Sequence, residues 1–318
     1  MSDISLLKPL VVFEQLFEKN IRLDDRGPLE PAPIQLSSSV LPSCHGSALV
    51  HLGHTQVICG VQVKVIPEQM HAGRIVCLVE ISRSANRSAS TSASSPTNRE
   101  AQALTSKLQR LIDTFVCPDA VEQLHLYAGS DSKQAVASYA LKLDVLVLHD
   151  DGCLLDACVP AAVLALHTTR WRKLVAVSDD RKNIPFIHCY EPCPSGEMMR
   201  LTINESPIPV TVCFLPLPVL RKSNSLTSPF IFQPSRRELS LWDTDAGPVQ
   251  LLLTPDARLL DICLVNAFLP GLFGSLVPPE IHTKQTDSTL FDTLFHSTEK
   301  YAADMYSAFE NAIKQLNI

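Results

Sequence analysis

Residues 45–65 read HGSALVHLGHTQVICGVQVKV. Ala48, Val50 and Leu52 alternate with Ser47, Leu49 and His51, and after Gly53-His54-Thr55 the alternation resumes at Val57, Cys59, Val61, Val63 and Val65. Period two on both sides of a short Gly-containing turn predicts a β-hairpin. Val and Ile are stiff at χ1 and suit a pleated, half-buried surface. One face is almost wholly apolar, so a helix or a second sheet must cover it. Nothing on it suggests catalysis; the stretch is architecture.

Upstream, Leu6, Leu7, Val11, Val12, Leu16 and Phe17 recur at helical spacing, which predicts an amphipathic helix docked on the body. A charged turn at Ile21–Gly27, a proline-punctuated link over 28–33 and a strand at Ile34–Val40 lead into the hairpin. Downstream, Arg74–Ile81 reads as a strand with Ile75, Cys77, Val79 and Ile81 on one face. Residues 82–98, SRSANRSASTSASSPTN, are too polar to offset the entropy of ordering and read as a mobile loop. Its Arg83 and Arg87, with Arg99, form a basic cluster and are the candidate RNA-contacting residues, although flexible arginines lack preformed geometry for phosphate. Arg99–Phe115 carries a helical apolar stripe, Val116–Ser138 shows no clear period, and Tyr139–Leu148 alternates as a strand. The turn His149-Asp150-Asp151-Gly152 then feeds an apolar helix, Cys153–His167, with Pro160 inside it and Asp156 as a lone charge. Leu174–Val177 begins another strand, and Asp179–Arg200 reads as a polar connection that closes a first lobe (1–200). The second lobe (201–318) offers strands at Ile208–Leu217 and Phe230–Gln233. A hairpin follows around Pro255–Arg258, and a helix runs from Thr286 almost to the end.

A chain of 318 residues with 46% hydrophobic and 19% charged residues can build a large core. No apolar run reaches the ~18–20 residues that span a bilayer, so no membrane partner is expected, and the first residues lack the pattern of a secretory signal. A formal net charge of −6 argues against an autonomous high-affinity nucleic-acid site. Ten cysteines without a secretory signal point to free thiols in a reducing compartment, and Cys59, Cys77, Cys158, Cys213 and Cys263 sit in apolar segments. Cys189 and Cys193 beside His188 begin a zinc pattern, but no second close pair completes four ligands, so no metal is assigned. Asp150 and Asp151 read as a solvated turn, and Glu238 with Asp243 and Asp245 as a polar loop, rather than as acid–base pairs. No phosphate loop or nucleophile elbow is present, and no cofactor is expected.

Several segments together resemble the RNase PH family, and within it the ring subunits of the eukaryotic exosome. The hairpin carries the most specific part: Gly46–Val50, Leu52-Gly53 and Val57–Val61. Phe13, Phe17, Asn20, Ile21, Arg22, Asp24 and Arg26 are similar to the family's first helix and its Arg-Pro-Asp-Gly-Arg turn, with Leu23 and Asp25 in place of the Pro and Gly. Glu100-Ala101-Gln102 and Leu155–Cys158 fit two family helices, and Val210–Phe214 with Pro234–Thr254 fit the second lobe by pattern.

The resemblance implies an α+β, RNase PH-like fold of two related β-α lobes with mixed sheets flanked by helices. It also implies a ring of such subunits around an RNA channel. The expected partners are other RNase PH-like ring subunits, RNA-binding cap subunits and RNA in the shared channel. Nucleus, including nucleolus, and cytoplasm are the expected locations. Active members hold phosphate with a Gly-Thr-Arg element after an Asp-Gly turn; here the sequence is Gly152-Cys153-Leu154-Leu155, and leucine donates nothing. The stretch that matches the family's catalytic acids, Phe230–Arg237, has no Asp. The expectation is a non-catalytic scaffold subunit with no catalytic residues. The alternatives are an active exoribonuclease with a divergent site and a stand-alone binding module. The apolar runs 210–220 and 267–277 are either core strands or sites of subunit contact, and with the ring they add the expectation of obligate assembly.

Overall fold

The computed structural model describes residues 9–67, 74–82, 85, 96–127, 135–178, 188–214, 230–241, 248–254, 256, 258–264 and 286–314. Arg83, Arg87, Asp243, Asp245 and the run 267–277 lie outside the described residues.

The hairpin forms as its alternation requires. Strands β2 (Gly46–Leu52) and β3 (Thr55–Pro67) pair from Gly46↔Val61 to Leu52↔Thr55 around the two-residue turn Gly53-His54. Gly53 takes φ +56°, which its lack of a Cβ permits at no steric cost. Strand β1 (Ile34–Ser38) joins the outer edge of β2, and β3 pairs antiparallel with β6 (Ala135–His149). Strand β4 (Arg74–Ile81) pairs with β6 in parallel, and short β5 (His125–Tyr127) pairs with its start, so the first sheet is mixed. Helix α2 (Pro96–Leu111) runs into a π-turn at Ile112–Val116, and a short α3 (Ala120–Gln123) precedes β5.

Helix α2 shields the free edge of β4. The N–H of Cys77 donates to Gln109 Oε1 at 2.8 Å, that of Val79 to Thr105 Oγ1 at 3.0 Å, and Gln109 Nε2 donates to Ile75 O at 2.9 Å. Side chains thus take the place of a further strand, which keeps the edge from templating another chain.

Helix α4 (Leu154–Thr168) packs on β2 and β3 and is buried almost all round, which is why its sequence is apolar on every face. Gly46 permits the close approach: a Cβ there would overlap the side chain of Thr169 and the carbonyl of Ala165. After α4 come the ribbon pair β7 (Trp171–Arg172) and β10 (Met198–Met199), and the pair β8 (Leu174–Ser178) and β9 (His188–Pro192). The second sheet is antiparallel in the order β12 (Phe230–Phe232), β11 (Ile208–Phe214), β13 (Val249–Leu253), β14 (Leu259–Leu264). A six-residue helix α5 (Arg236–Leu241) follows β12.

The terminal helices tie the sheets together. Helix α1 (Pro9–Phe17) sends Phe13 and Phe17, stacked at 5.4 Å, against Cys213 and Ile231 of the second sheet. Helix α6 (Thr286–Lys314) lays Tyr301, Ala302 and Met305 on the second sheet and Phe309 and Ala312 into the core of the first. The fold is α+β and RNase PH-like, with a mixed first sheet, an antiparallel second sheet and flanking helices.

Two local expectations need correction, at 179–200 and at 82–98, and two open segments are filled in. The segment read as a polar connection at 179–200 contains β9 and β10, too short to leave a period. Val116–Ser138 holds α3 and β5 and the first residues of β6, which begins before its alternation becomes clear. Helix α2 starts at Pro96, where a proline costs no hydrogen bond in a first turn, and so enters the stretch assigned to the mobile loop. Within that stretch Ala85 is buried and its N–H donates to Ser82 O at 3.0 Å. The described part of the apolar run that starts at Val210 is core: Val210, Val212 and Cys213 are buried in the second sheet.

Candidate functional site

Three segments meet beside the start of α4: the turn 22–26, the turn 150–153 and the segment 230–238. The first begins with Arg22. Its N–H donates to Arg26 O at 2.9 Å, and Asp25, standing where the family pattern has Gly, takes the left-handed φ of +64°. Asp is among the few residues that enter this region without large cost, so the turn survives the substitution.

The Arg22 side chain is buried. Its fork donates to both Glu238 oxygens at 3.0 and 2.6 Å, to Phe232 O at 2.6 Å and to Gln233 O at 3.1 Å. Glu238 also accepts from the N–H of Ser235 at 2.8 Å, so the carboxylate is fully engaged. A bidentate pair with its remaining lone pairs satisfied is what a buried charge needs to persist. Glu238 therefore belongs to an ion pair that clamps α5, not to a polar loop as its neighbours in sequence implied.

The turn 150–153 presses on the same segment. Gly152 has φ +99°, and a Cβ there would lie 2.7 Å from Pro234 O. The N–H of Arg236 donates to Asp151 O at 2.7 Å, and Cys153 Sγ to Pro234 O at 3.3 Å. Asp150 is not solvated as expected. Its side chain is 1% exposed, accepts from Gly152 N at 3.0 Å and lies 3.4 Å from Arg236, which also binds Glu100 at 3.1 Å. Burial raises the Asp150 pKa, and the Arg236 guanidinium opposes the rise.

Beyond the turn, Leu154 and Leu155 point into the core, 5% and 3% exposed. Asp156 is not a lone charge: Thr211 donates to it from N at 2.8 Å and from Oγ1 at 2.7 Å, and Gln233 Nε2 from 3.3 Å. Gln233 Nε2 also donates to Tyr301 OH at 2.7 Å. Burial pushes the Asp156 carboxyl up to about 6, with the hydrogen bonds from Thr211 and Gln233 pulling the other way.

Of the basic cluster expected from sequence, the structure describes Arg99 alone. Arg99 is exposed on α2, and its two companions lie outside the described residues. Cys193 lies with its Sγ 3.1 Å from Ser195 Oγ, a hydroxyl that lowers the thiol pKa. Among the described residues no group of three or more His, Cys, Asp or Glu could hold a metal ion. Sequence reading missed Arg22–Glu238, whose members stand 216 residues apart. The available signal was Asp156, since a carboxylate inside an apolar helix demands buried donors.

Residues 30–171 match the model of the 3' exoribonuclease family, domain 1. This stretch, just under half of the chain, is similar to the first domain of that family. Curated relatives include exosome complex component Rrp42 of Sulfurisphaera tokodaii, 31% identical over 57% of this chain and 62% of that protein. The Thermococcus onnurineus Rrp42 is 28% identical over 62% of this chain and 66% of its own length. The chain thus spans just under two thirds of the length of these relatives. With the Archaeoglobus fulgidus Rrp42 the match reaches 71% and 73% at 26% identity. Among solved structures, a chain of the Archaeoglobus fulgidus exosome with RNA bound to the active site superposes with a TM-score of 0.64 at 22% identity. That match covers 96% of this chain and 100% of the other, and it speaks to the fold.

Proposed function

We propose that this chain is a non-catalytic, structural subunit of an exosome-type ring. In this reading it supports 3'-to-5' RNA processing and degradation by scaffolding the assembly and lining its RNA channel. The observation that carries the reading is the burial of Leu154 and Leu155 where active family members place their phosphate-holding Thr and Arg. The arginines of the junction are already committed, Arg22 to Glu238 and Arg236 to Glu100 and Asp150. Relatives named as exosome components support ring partners of the same fold, and the RNA-bound structure supports RNA in a shared channel. By the order of its elements together with its residues, the chain resembles the ribosomal-RNA-processing protein forty-three type of ring subunit. The proposed location is the nucleus, including the nucleolus, and the cytoplasm, with a lobe boundary near residue 200.

The test is a phosphorolysis assay on labelled RNA with inorganic phosphate. The expected outcome is no release of nucleoside diphosphates by the chain freed of its relatives, and its co-purification with RNase PH-like proteins from cells. Phosphate-dependent shortening of the RNA that follows this chain through purification would overturn the proposal.

A further inference from the structure

The junction encloses a cavity of about 230 Å3 between the hairpin turn, the 150–153 turn and the segment 233–235. Its hydrogen-bonding groups can be accounted for one by one. Arg26 spends its fork on Asp24 at 2.6 Å, on Glu30 O at 3.2 Å and on Gln233 O at 3.0 Å. Thr55 Oγ1 donates to Gly152 O and accepts from Asp151 N. Gln233 gives its amide hydrogens to Asp156 and Tyr301, and its oxygen accepts from Ala32 N. Ser235 Oγ is held by Glu238, and Cys153 Sγ by Pro234 O.

Two groups are left. The Asp151 carboxylate pairs with no other side chain among the described residues, and the adjacent N–H of Arg236 donates to the Asp151 carbonyl. The His54 imidazole is exposed at the mouth, and His149 Nδ1 donates to the His54 carbonyl at 2.8 Å. A half-buried carboxylate facing a cavity whose other acceptors are satisfied calls for a positive donor.

We propose that this cavity binds a cationic nitrogen group, an ammonium or guanidinium, through the Asp151 carboxylate. An anion fits badly: the Arg26 charge is already paired with Asp24 at 2.6 Å, and the Asp24 and Asp151 carboxylates repel any further negative charge. The volume is below the ~300–1,000 Å3 of ordinary small-molecule pockets, which suits a group the size of one side chain rather than a nucleotide. Burial raises the Asp151 pKa, with the nearby His54 and His149 pulling it down, Asp24 adding to the rise and the Arg236 N–H opposing it. The site stands independently of the non-catalytic reading, since it concerns what the cavity accepts and not what the chain cleaves.

The probe is agmatine, followed by saturation-transfer NMR on the full chain purified with its co-expressed neighbours. Agmatine bound by the wild type should lose affinity roughly tenfold or more in Asp151→Asn, the cost of removing a charged acceptor, and should persist in His54→Ala and in inorganic phosphate. Should Asp151→Asn fail to fold, Pro33→Arg, which supplies a resident guanidinium at the cavity wall, should abolish the signal instead. If a neighbour's side chain already fills the cavity, agmatine gives no signal in the wild-type assembly, and Asp151→Asn releases a subunit on size exclusion. Equal agmatine binding in wild type and Asp151→Asn overturns the proposal. So does displacement of agmatine by phosphate, and so does absence of binding with an unchanged assembly. Phosphorolytic activity with agmatine binding intact would remove the non-catalytic reading alone.

Discussion

Helix α4 faces two sheets, and they hold it by different physics. Toward the first sheet its contacts are mainly apolar, among them Ala48, Val50, Val57 and Cys59, with a neutral hydrogen bond from Ser47 N to Thr168 Oγ1 at its last turn. Toward the second it presents Asp156, which is held by Thr211 and Gln233. Close by, Arg22 and Glu238 make an ion pair with both side chains fully buried. Apolar contacts are non-directional and lose free energy in small steps when altered. A buried charge network is all or nothing, because each member left alone bears its own desolvation cost. The junction is therefore the brittle region and the first sheet the tolerant one.

The largest expected effect breaks the brittle side. Arg22→Ala should destabilise by about 3–5 kcal/mol, since it strands Glu238 in the interior. The paired change Arg22→Met with Glu238→Leu should recover most of that loss, because neither charge is then buried alone. By contrast Ile75→Val in the first sheet should cost only about 0.5–1.5 kcal/mol. Urea unfolding of the variants in one background makes the comparison, and equal costs for Arg22→Ala and Ile75→Val would abolish the distinction.

The next effect is a pH dependence confined to the junction. The Asp156 carboxyl is raised by burial to about 6 in the fold, from an ordinary value of 3.8. Between those values the folded chain keeps a proton that the unfolded chain has released. Its contribution to stability is thus full below the ordinary value and is lost as pH rises through about 6, by up to ~3 kcal/mol. Asp156→Asn removes the titration while keeping an acceptor for the Thr211 N–H. The variant should therefore gain on the wild type as pH climbs from about 4 to about 7. Parallel stability curves would mean that Asp156 does not titrate in this window.

The same contrast explains what could be read from sequence. The hairpin declared itself because a period of two is a local signal, and strands β2, β3 and β4 have the predicted inward faces. Burial of Leu154 and Leu155 also followed from a local apolar run. The junction did not declare itself, because its pairs are distant: Gly152 meets Pro234, Glu100 meets Arg236, and Arg22 meets Glu238. Polar residues at such positions look like surface until the chain has folded. Asp150 was misread for this reason, since nothing beside it in sequence hints at Arg236. The short strands β9 and β10 were missed because two to five residues carry no measurable period.

A smaller effect tests the tolerant region at its own weak point. Gln109→Ala removes the acceptor of Cys77 N–H and the donor to Ile75 O on the edge of β4. The expected loss is about 1–2 kcal/mol, accompanied by faster aggregation as the edge becomes available for pairing. Light scattering alongside denaturation separates the two consequences. A variant that loses stability and stays monodisperse would show that α2 is not what protects this edge.

The smallest effect isolates the role of water in the comparison. Lys173 Nζ donates to Glu197 at 2.9 Å, close to the 2.6 Å of Arg22 and Glu238, and the two pairs carry the same charges. What differs is exposure: 45% and 53% for the outer pair, none for the inner. Water already solvates Lys173 and Glu197 when they are apart, so their pairing returns little beyond the entropy lost in ordering two flexible side chains. The favourable interaction with Glu197 raises the Lys173 pKa, but at that exposure the shift is heavily screened. A double-mutant cycle through Lys173→Ala and Glu197→Ala should give a coupling of about 0.2–1 kcal/mol that fades in roughly 1 M salt, where the screening length is about 3 Å. The corresponding cycle through Arg22 and Glu238 should give several times more and hold in the same salt, since ions cannot enter between buried groups. If the outer coupling equalled the inner one, or if both vanished in salt, burial could not be the reason that the junction is brittle.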